Sequence, residues 1–170
     1  MTIRFACEHD IPDISRIYNQ AIEAGNATAD LEEPDAVNRL EWFRSHHPDR
    51  FPLYIIEEDK RAIGWGSLSP YRKGRAALKG TAEISYYVDY DHHGKGYGRL
   101  LISHMLGDCN RLGINNLIAF LLEINTISIR ILEKFGFERW GCLPGIAELR
   151  EGECSHLIYG KNLRKSTATK

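Results

Sequence analysis

The segment His93-Gly94-Lys95-Gly96-Tyr97-Gly98-Arg99 puts three glycines at alternate positions and sets Lys95 and Arg99 among them. Glycine lets a backbone take positive φ and approach a ligand closely. A helix beginning just after such a turn offers unpaired N–H groups and the positive end of its dipole. Together these make a cradle for a phosphate or pyrophosphate. Two common nucleotide motifs do not fit. A P-loop needs Gly-Lys followed by Ser or Thr, whereas Gly98 precedes Arg-Leu-Leu. A dinucleotide turn needs G-x-G-x-x-G, and this segment reads G-x-G-x-G. A tight turn with no ligand is the remaining alternative.

The residues just before it alternate. In Thr81–Val88, Ala82, Ile84, Tyr86 and Val88 share one face of a strand, and Glu83, Ser85 and Tyr87 share the other. A carboxylate, a hydroxyl and a phenol therefore stand in a row on a strand that feeds the turn. A partly buried carboxylate with a raised pKa can act as a general base; a half-solvated strand with a paired glutamate fits the same pattern. Asn125-Thr126-Ile127-Ser128 opens a further helix. Asn125 and Ser128 there serve either as a cap or as groups facing a ligand that runs along the sheet.

The elements that must hold these residues follow from periodicity and turn signals. Strands are expected at 2–7, 53–56, 62–69, 81–89, 116–122, 137–149 and 155–163. Helices are expected from Asp10 to Gly25, from Pro34 to His46, from Gly96 to Leu112 and from Asn125 to Phe135. Val37, Leu40, Trp42 and Phe43 are the apolar content of the second. The order β-α-α-β-β-β-α-β-α-β-β mixes hairpins with β-α-β units and predicts an α/β fold on a mixed sheet with helices on both faces. Residues 1–164 read as one domain and 165–170 as a disordered tail.

Composition narrows the class. The 170 residues carry 22 Lys and Arg against 23 Asp and Glu, a net charge of −1 that argues against a nucleic-acid module. No apolar run reaches the ~18 residues of a membrane span, and the first ten residues lack a secretory core. Cys7, Cys109, Cys142 and Cys154 show no C-x-x-C pairing, so each reads as a small buried apolar residue in a reducing cytoplasm. With no H-x-x-x-H either, no metal site is expected. Gly64-Trp65-Gly66 reads as a strand with packing gaps.

In order and spacing, Thr81–Val88, His93–Arg99, Asn125-x-x-Ser128 and Gly136-Phe137 resemble the GNAT superfamily of N-acetyltransferases. Ile17-Tyr18-Asn19, Thr28-Ala29-Asp30, Glu41-Trp42-Phe43, Ser69-Pro70-Tyr71-Arg72 and Trp140-Gly141 through Pro144-Gly145 resemble its phosphinothricin and methionine sulfoximine acetyltransferase branch. The likeness covers about residues 2–163. It implies the GNAT fold, with about seven strands and a splay between the fourth and fifth, and acetyl-CoA as cosubstrate without a metal. The backbone of Gly94, Lys95, Gly96, Tyr97, Gly98 and Arg99 would take the pyrophosphate, with His93 beside it. Tyr86, Tyr87 and Val88 would pair with the pantetheine arm, and Asn125 and Ser128 would touch it. A backbone N–H near Val88 would polarise the thioester carbonyl. Glu83 would deprotonate the acceptor amine, which attacks directly in a ternary complex.

Two positions depart from the family pattern. His93 stands where Gln or Arg is usual, and Leu132 stands where many relatives place a tyrosine acid, leaving Tyr87 as the substitute. The resemblance further implies a small amino-acid-like amine as acceptor, bound by Thr28, Asp30, Arg72, Arg75, Glu83 and Ser85, and a cytoplasmic homodimer. A protein or peptide acceptor, or a non-catalytic acyl-CoA sensor, are the alternatives.

Overall fold

A computed structural model describes residues 1–164; the expected tail at 165–170 lies outside the described residues. The chain runs β1 (Thr2–Phe5), α1 (Ile11–Ala24), α2 (Ala36–Arg44), β2 (Leu53–Glu58), β3 (Arg61–Pro70), β4 (Thr81–Val88), α3 (Tyr97–Asp108), β5 (Asn116–Leu122), α4 (Thr126–Lys134), β6 (Glu138–Leu149) and β7 (Gly152–Asn162). The element order is the one that periodicity predicts. Pro12 in the first turn and Gly25 at φ +67 bracket α1, as an early proline and a terminal glycine should. Asp35 caps α2 by accepting from the Asn38 N–H at 2.8 Å. The helix expected to reach Leu112 stops at Asp108. Its last turn tightens as the Cys109 N–H bonds Leu106, and Gly113 at φ +67 then turns the chain into β5.

The seven strands form one sheet in the order β1-β2-β3-β4-β5-β7-β6. Every neighbouring pair is antiparallel except β4 and β5. Those two meet only at Thr81–Asn116, Ala82–Leu117 and Glu83–Ile118. Beyond that point β4 stays with β3 as far as the Val88–Gly64 pair, while β5 follows β7 as far as Leu122–His156. The sheet therefore opens between its fourth and fifth strands in chain order, as the family resemblance implies.

Helices cover both faces. Strand alternation sends Leu53 and Ile55 into one core with Ile14, Ile17 and Trp65, and sends Tyr54 and Ile56 into the other with Leu101, Ile102 and Met105. Burial of each such aliphatic side chain contributes roughly 1.5–3 kcal/mol. The Gly64-Trp65-Gly66 stretch is not loosely packed. A β-carbon on Gly66 would lie 2.8 Å from Met105 Cε, and one on Gly64 would lie 2.9 Å from the Tyr87 carbonyl oxygen. These glycines let neighbours come close. Cys109 and Cys154 are buried as expected, but Cys7 and Cys142 are exposed; Cys142 sits on the edge strand β6, where half of every residue's surroundings is solvent. Val37 is also exposed, because α2 turns a different face inward. Among the described residues no helix is long and apolar enough to cross a membrane.

Asp89, just past β4, is 1% exposed and is gripped by the Arg16 guanidinium from α1, while its other oxygen accepts from the Asp91 N–H at 3.1 Å. The pair ties the turn after β4 to the opposite face of the sheet, and Arg16 holds the Asp89 carboxyl below its ordinary value against the effect of burial. Removing the cation strands a buried carboxylate. Arg16→Ala is expected to cost about 3 kcal/mol in chemical denaturation, the usual toll for one half of a buried pair. The contribution of Asp89 is present above its unfolded-state pKa and is lost as pH falls through the lowered folded value, so the gap between wild type and variant should narrow in acid. A loss below ~0.5 kcal/mol would make the pair a surface contact.

Candidate active site

Two cavities flank β4, and its alternation assigns one set of side chains to each. The first, about 440 Å³, is bounded by Tyr86 and Val88, by the turn from His92 to Arg99 and by the start of α4. Gly94 and Gly96 adopt φ +77 and +89, and a β-carbon on either would meet nothing within 4 Å. It is backbone conformation, not crowding, that requires glycine there. No side chain caps α3, so its first amides face the cavity mouth without a protein acceptor from a cap.

The edge of β4 adds further donors. The Asp89 N–H bonds the Ile63 carbonyl at 2.9 Å, which fixes the phase of the ladder with β3. The N–H of Ile84 closes the last bond to β5, and the N–H groups of Tyr86 and Val88 point away from β3, into the opening where β5 has departed. An extended arm with amide groups would complete the strand. The Tyr86 hydroxyl is also buried without a hydrogen-bond partner, and burial pushes its pKa to about 12. Uncapped amides, two left-handed glycines and an unpaired strand edge fit a pyrophosphate bearing a pantetheine arm.

Individual residues refine the expectations. Gly94, Gly96, Gly98, Arg99, Asn125 and Ser128 all line this cavity. Tyr97 does so only near its backbone, because its ring is buried in the core and its hydroxyl donates to Glu58 at 3.2 Å. Lys95 is exposed and lies outside the lining. His93 folds back, its Nε2 meeting the Val88 carbonyl at 2.9 Å; a carbonyl only accepts, so Nε2 carries the hydrogen. Asn125 is first a cap, its Oδ1 accepting from the Ser128 N–H at 3.2 Å. Leu132 is fully buried, so no acid of α4 stands at that position.

The second cavity, about 520 Å³, receives Glu83, Ser85 and Tyr87. Glu83 is half-buried, and burial raises its carboxyl pKa while the Ser85 hydroxyl opposes the rise. Thr28 and Asp30 stand opposite, joined through Tyr18, whose hydroxyl lies 2.8 Å from Thr28 Oγ1 and donates to Asp30 Oδ2 at 2.6 Å. Tyr87 packs its ring on Trp65 and Tyr18, at centroid distances of 4.6 and 4.9 Å, and burial raises its pKa. Tyr87 and Ala27 border both cavities.

Arg72 and Arg75 line neither cavity. They are exposed in the β3–β4 connection, where Arg72 lies over the Tyr71 ring. The cation that does line the second cavity is Arg39 of α2, joined by Trp42, Phe120 and His156. Sequence reasoning missed it because an arginine on a helix reads as solvated. The available signal was a tryptophan three residues on, which shares its helix face. Among the described residues no cluster of His, Cys, Asp and Glu could hold a metal ion.

Residues 1–138 match the family model of the acetyltransferase (GNAT) domain. The YwnH protein of Bacillus subtilis is 38% identical over 164 residues, which cover 96% of this chain and 99% of that one. An L-methionine sulfoximine/L-methionine sulfone acetyltransferase of Salmonella typhimurium is 32% identical, over 86% of this chain and 85% of its own. The crystal structure of a GNAT superfamily phosphinothricin acetyltransferase from Sinorhizobium meliloti in complex with AcCoA superposes with a TM-score of 0.90. It is 27% identical, and the match covers 99% of this chain and 91% of that one.

Gly96→Ala should weaken acetyl-CoA binding roughly tenfold by calorimetry, since a left-handed alanine costs about 1–2 kcal/mol. Gly74→Ala, at φ +79 in the distant β3–β4 connection, provides the matched control. Equal losses in the two variants would show that general destabilisation, not the turn, is being read.

Proposed function

The chain belongs to the GNAT acetyltransferase family, and from that premise we propose that it moves the acetyl group of acetyl-CoA to the primary amine of a small amino-acid-like acceptor of the methionine sulfoximine or phosphinothricin type. The observation that carries this reading is the position of Glu83. It faces the second cavity at the last β4–β5 pair, where the strands part, four residues before Tyr87, which borders both cavities. Names among the relatives supply the acceptor class. The segment 27–30 walls the cavity, which favours a small acceptor over a peptide.

Acetyl-CoA supplies an acyl carbon activated as a thioester. Glu83 takes the proton from the acceptor ammonium, directly or through a water, and leaves a neutral amine. Desolvation suits it to that task by raising its proton affinity. The Val88 N–H, turned toward the opening, donates to the acyl oxygen as negative charge develops there. Ser85, two residues along the same face of β4, opposes the rise in Glu83 proton affinity and favours the charged carboxylate. The amine attacks without an acyl-enzyme, and Tyr87, bordering both cavities, is the side chain placed to return a proton to the departing thiolate.

The same reading makes the enzyme a cytoplasmic homodimer. Exposed thiols at Cys7 and Cys142 stay reduced in that compartment. Trp140, Leu143 and Ile146 on the edge strand β6 are 47%, 41% and 59% exposed, an apolar row suited to burial against a second copy. Sedimentation should find a dimer that Ile146→Lys shifts toward monomer; a monomeric parent protein would end this part of the reading.

Catalysis is tested by thiol release from acetyl-CoA with methionine sulfone, methionine sulfoximine and phosphinothricin. Glu83→Gln is expected to lower kcat by roughly 100-fold or more, the usual share of a general base. In the parent enzyme kcat/KM falls as pH drops through the Glu83 pKa. Burial raises that pKa, so the acidic limb sits above the ordinary glutamate range, and Glu83→Gln abolishes it. A folded protein that acetylates none of these amines would overturn the proposal.

A further inference from the structure

The one fully buried residue of α2 is a cation. Arg39 is 6% exposed, whereas its helix neighbours Asn38 and Leu40 are exposed and half-buried. Its guanidinium carbon lies 4.7 Å from the Tyr18 ring centroid and 5.2 Å from that of Trp42. The rings hold the charged plane in place through cation–π attraction. They do nothing for its N–H donors, which lie at the edge of that plane.

Those donors are unmet. Nε and Nη2 are closed to solvent and have no hydrogen-bond partner. None of the ion pairs among the described residues includes Arg39. Asp30, whose charge the guanidinium feels, has committed Oδ2 to the Tyr18 hydroxyl. A desolvated guanidinium without a counter-ion is costly, and arginine does not escape the cost by losing its proton. Proteins keep such a group where something else supplies the anion. Arg39 lines the second cavity, the same one that holds Glu83.

We propose that Arg39 is the counter-ion for a carboxylate on the acceptor, which makes the enzyme selective for amines that also carry a carboxylate, as an α-amino acid does on the same carbon. The inference rests on the small-amine reading and sharpens it. Glu83 on β4 receives the ammonium, and Arg39 on α2 receives the carboxylate. A zwitterionic amino acid thus has a partner of opposite charge for each of its two ionised groups. The guanidinium, fixed against two rings, meets a carboxylate in the cavity as a charge already in place, with little further loss of freedom. Arg39 takes the place assigned from sequence to Arg72 and Arg75.

The test compares methionine sulfone with its carboxamide, which keeps the amine and the side chain and removes the negative charge. Both kcat/KM and calorimetric affinity in the presence of CoA are measured for the parent enzyme, Arg39→Gln and Arg39→Lys. The parent enzyme should prefer the acid at least a hundredfold. Arg39→Gln should reduce that preference below fivefold, mainly through KM, and Arg39→Lys should fall between. A purely structural arginine would lower both substrates together and leave the ratio intact. A parent enzyme that uses the amide as readily as the acid overturns the proposal even if Arg39→Gln fails to fold. Absence of turnover with every amine would instead end the acetylation reading, and the calorimetric ratio would still decide the role of Arg39.

Discussion

Everything at the centre of this protein depends on a hydrogen-bond ladder that stops. β4 and β5 pair through three residues and then part, each keeping its antiparallel partner on the far side. Backbone groups inside a fold need partners. Here the N–H groups of Tyr86 and Val88 are left facing a gap, and the uncapped start of α3 opens beside it. A strand edge and a helix end that would be a liability in a closed sheet become the surface on which a long, amide-bearing, phosphorylated ligand fits.

The period of a strand then separates two chemistries across a few ångströms. Tyr86 and Val88 turn to the cavity beside the glycine turn, and Glu83, Ser85 and Tyr87 turn to the cavity that Thr28, Asp30 and Arg39 line. A one-residue slip of β4 would exchange these sets. Register is held by the Trp65 and Leu68 cores on either face of β3 and by the Arg16–Asp89 pair, which pins the end of β4 to α1.

Those features that arise from local pattern were legible in the sequence. The alternation of Thr81–Val88, the glycines of the turn and the Asn125 cap all depend on residues close in the chain, and their side chains face as the pattern requires. What escaped was tertiary. Arg39 became a buried cation only because Tyr18, from another helix, and Trp42 close over its faces. Arg72 and Arg75 carry the right charge in a connection that stays outside the cavity. His93 has the composition of a phosphate ligand, but a carbonyl five residues back claims its ring. The glycines at 64 and 66 looked like gaps because a sequence does not show Met105 or the Tyr87 carbonyl arriving to fill them.

Tyr87 and Ala27 form a wall common to both cavities. A shared wall gives the two occupants a physical route to thermodynamic linkage. If filling one cavity shifts the Tyr87 ring, the free energy of that shift enters the affinity of the other. Linkage is reciprocal, so whatever factor one ligand imposes on the second, the second returns to the first. The size of that mutual factor is then governed by the packing of one aromatic ring against Trp65 and Tyr18.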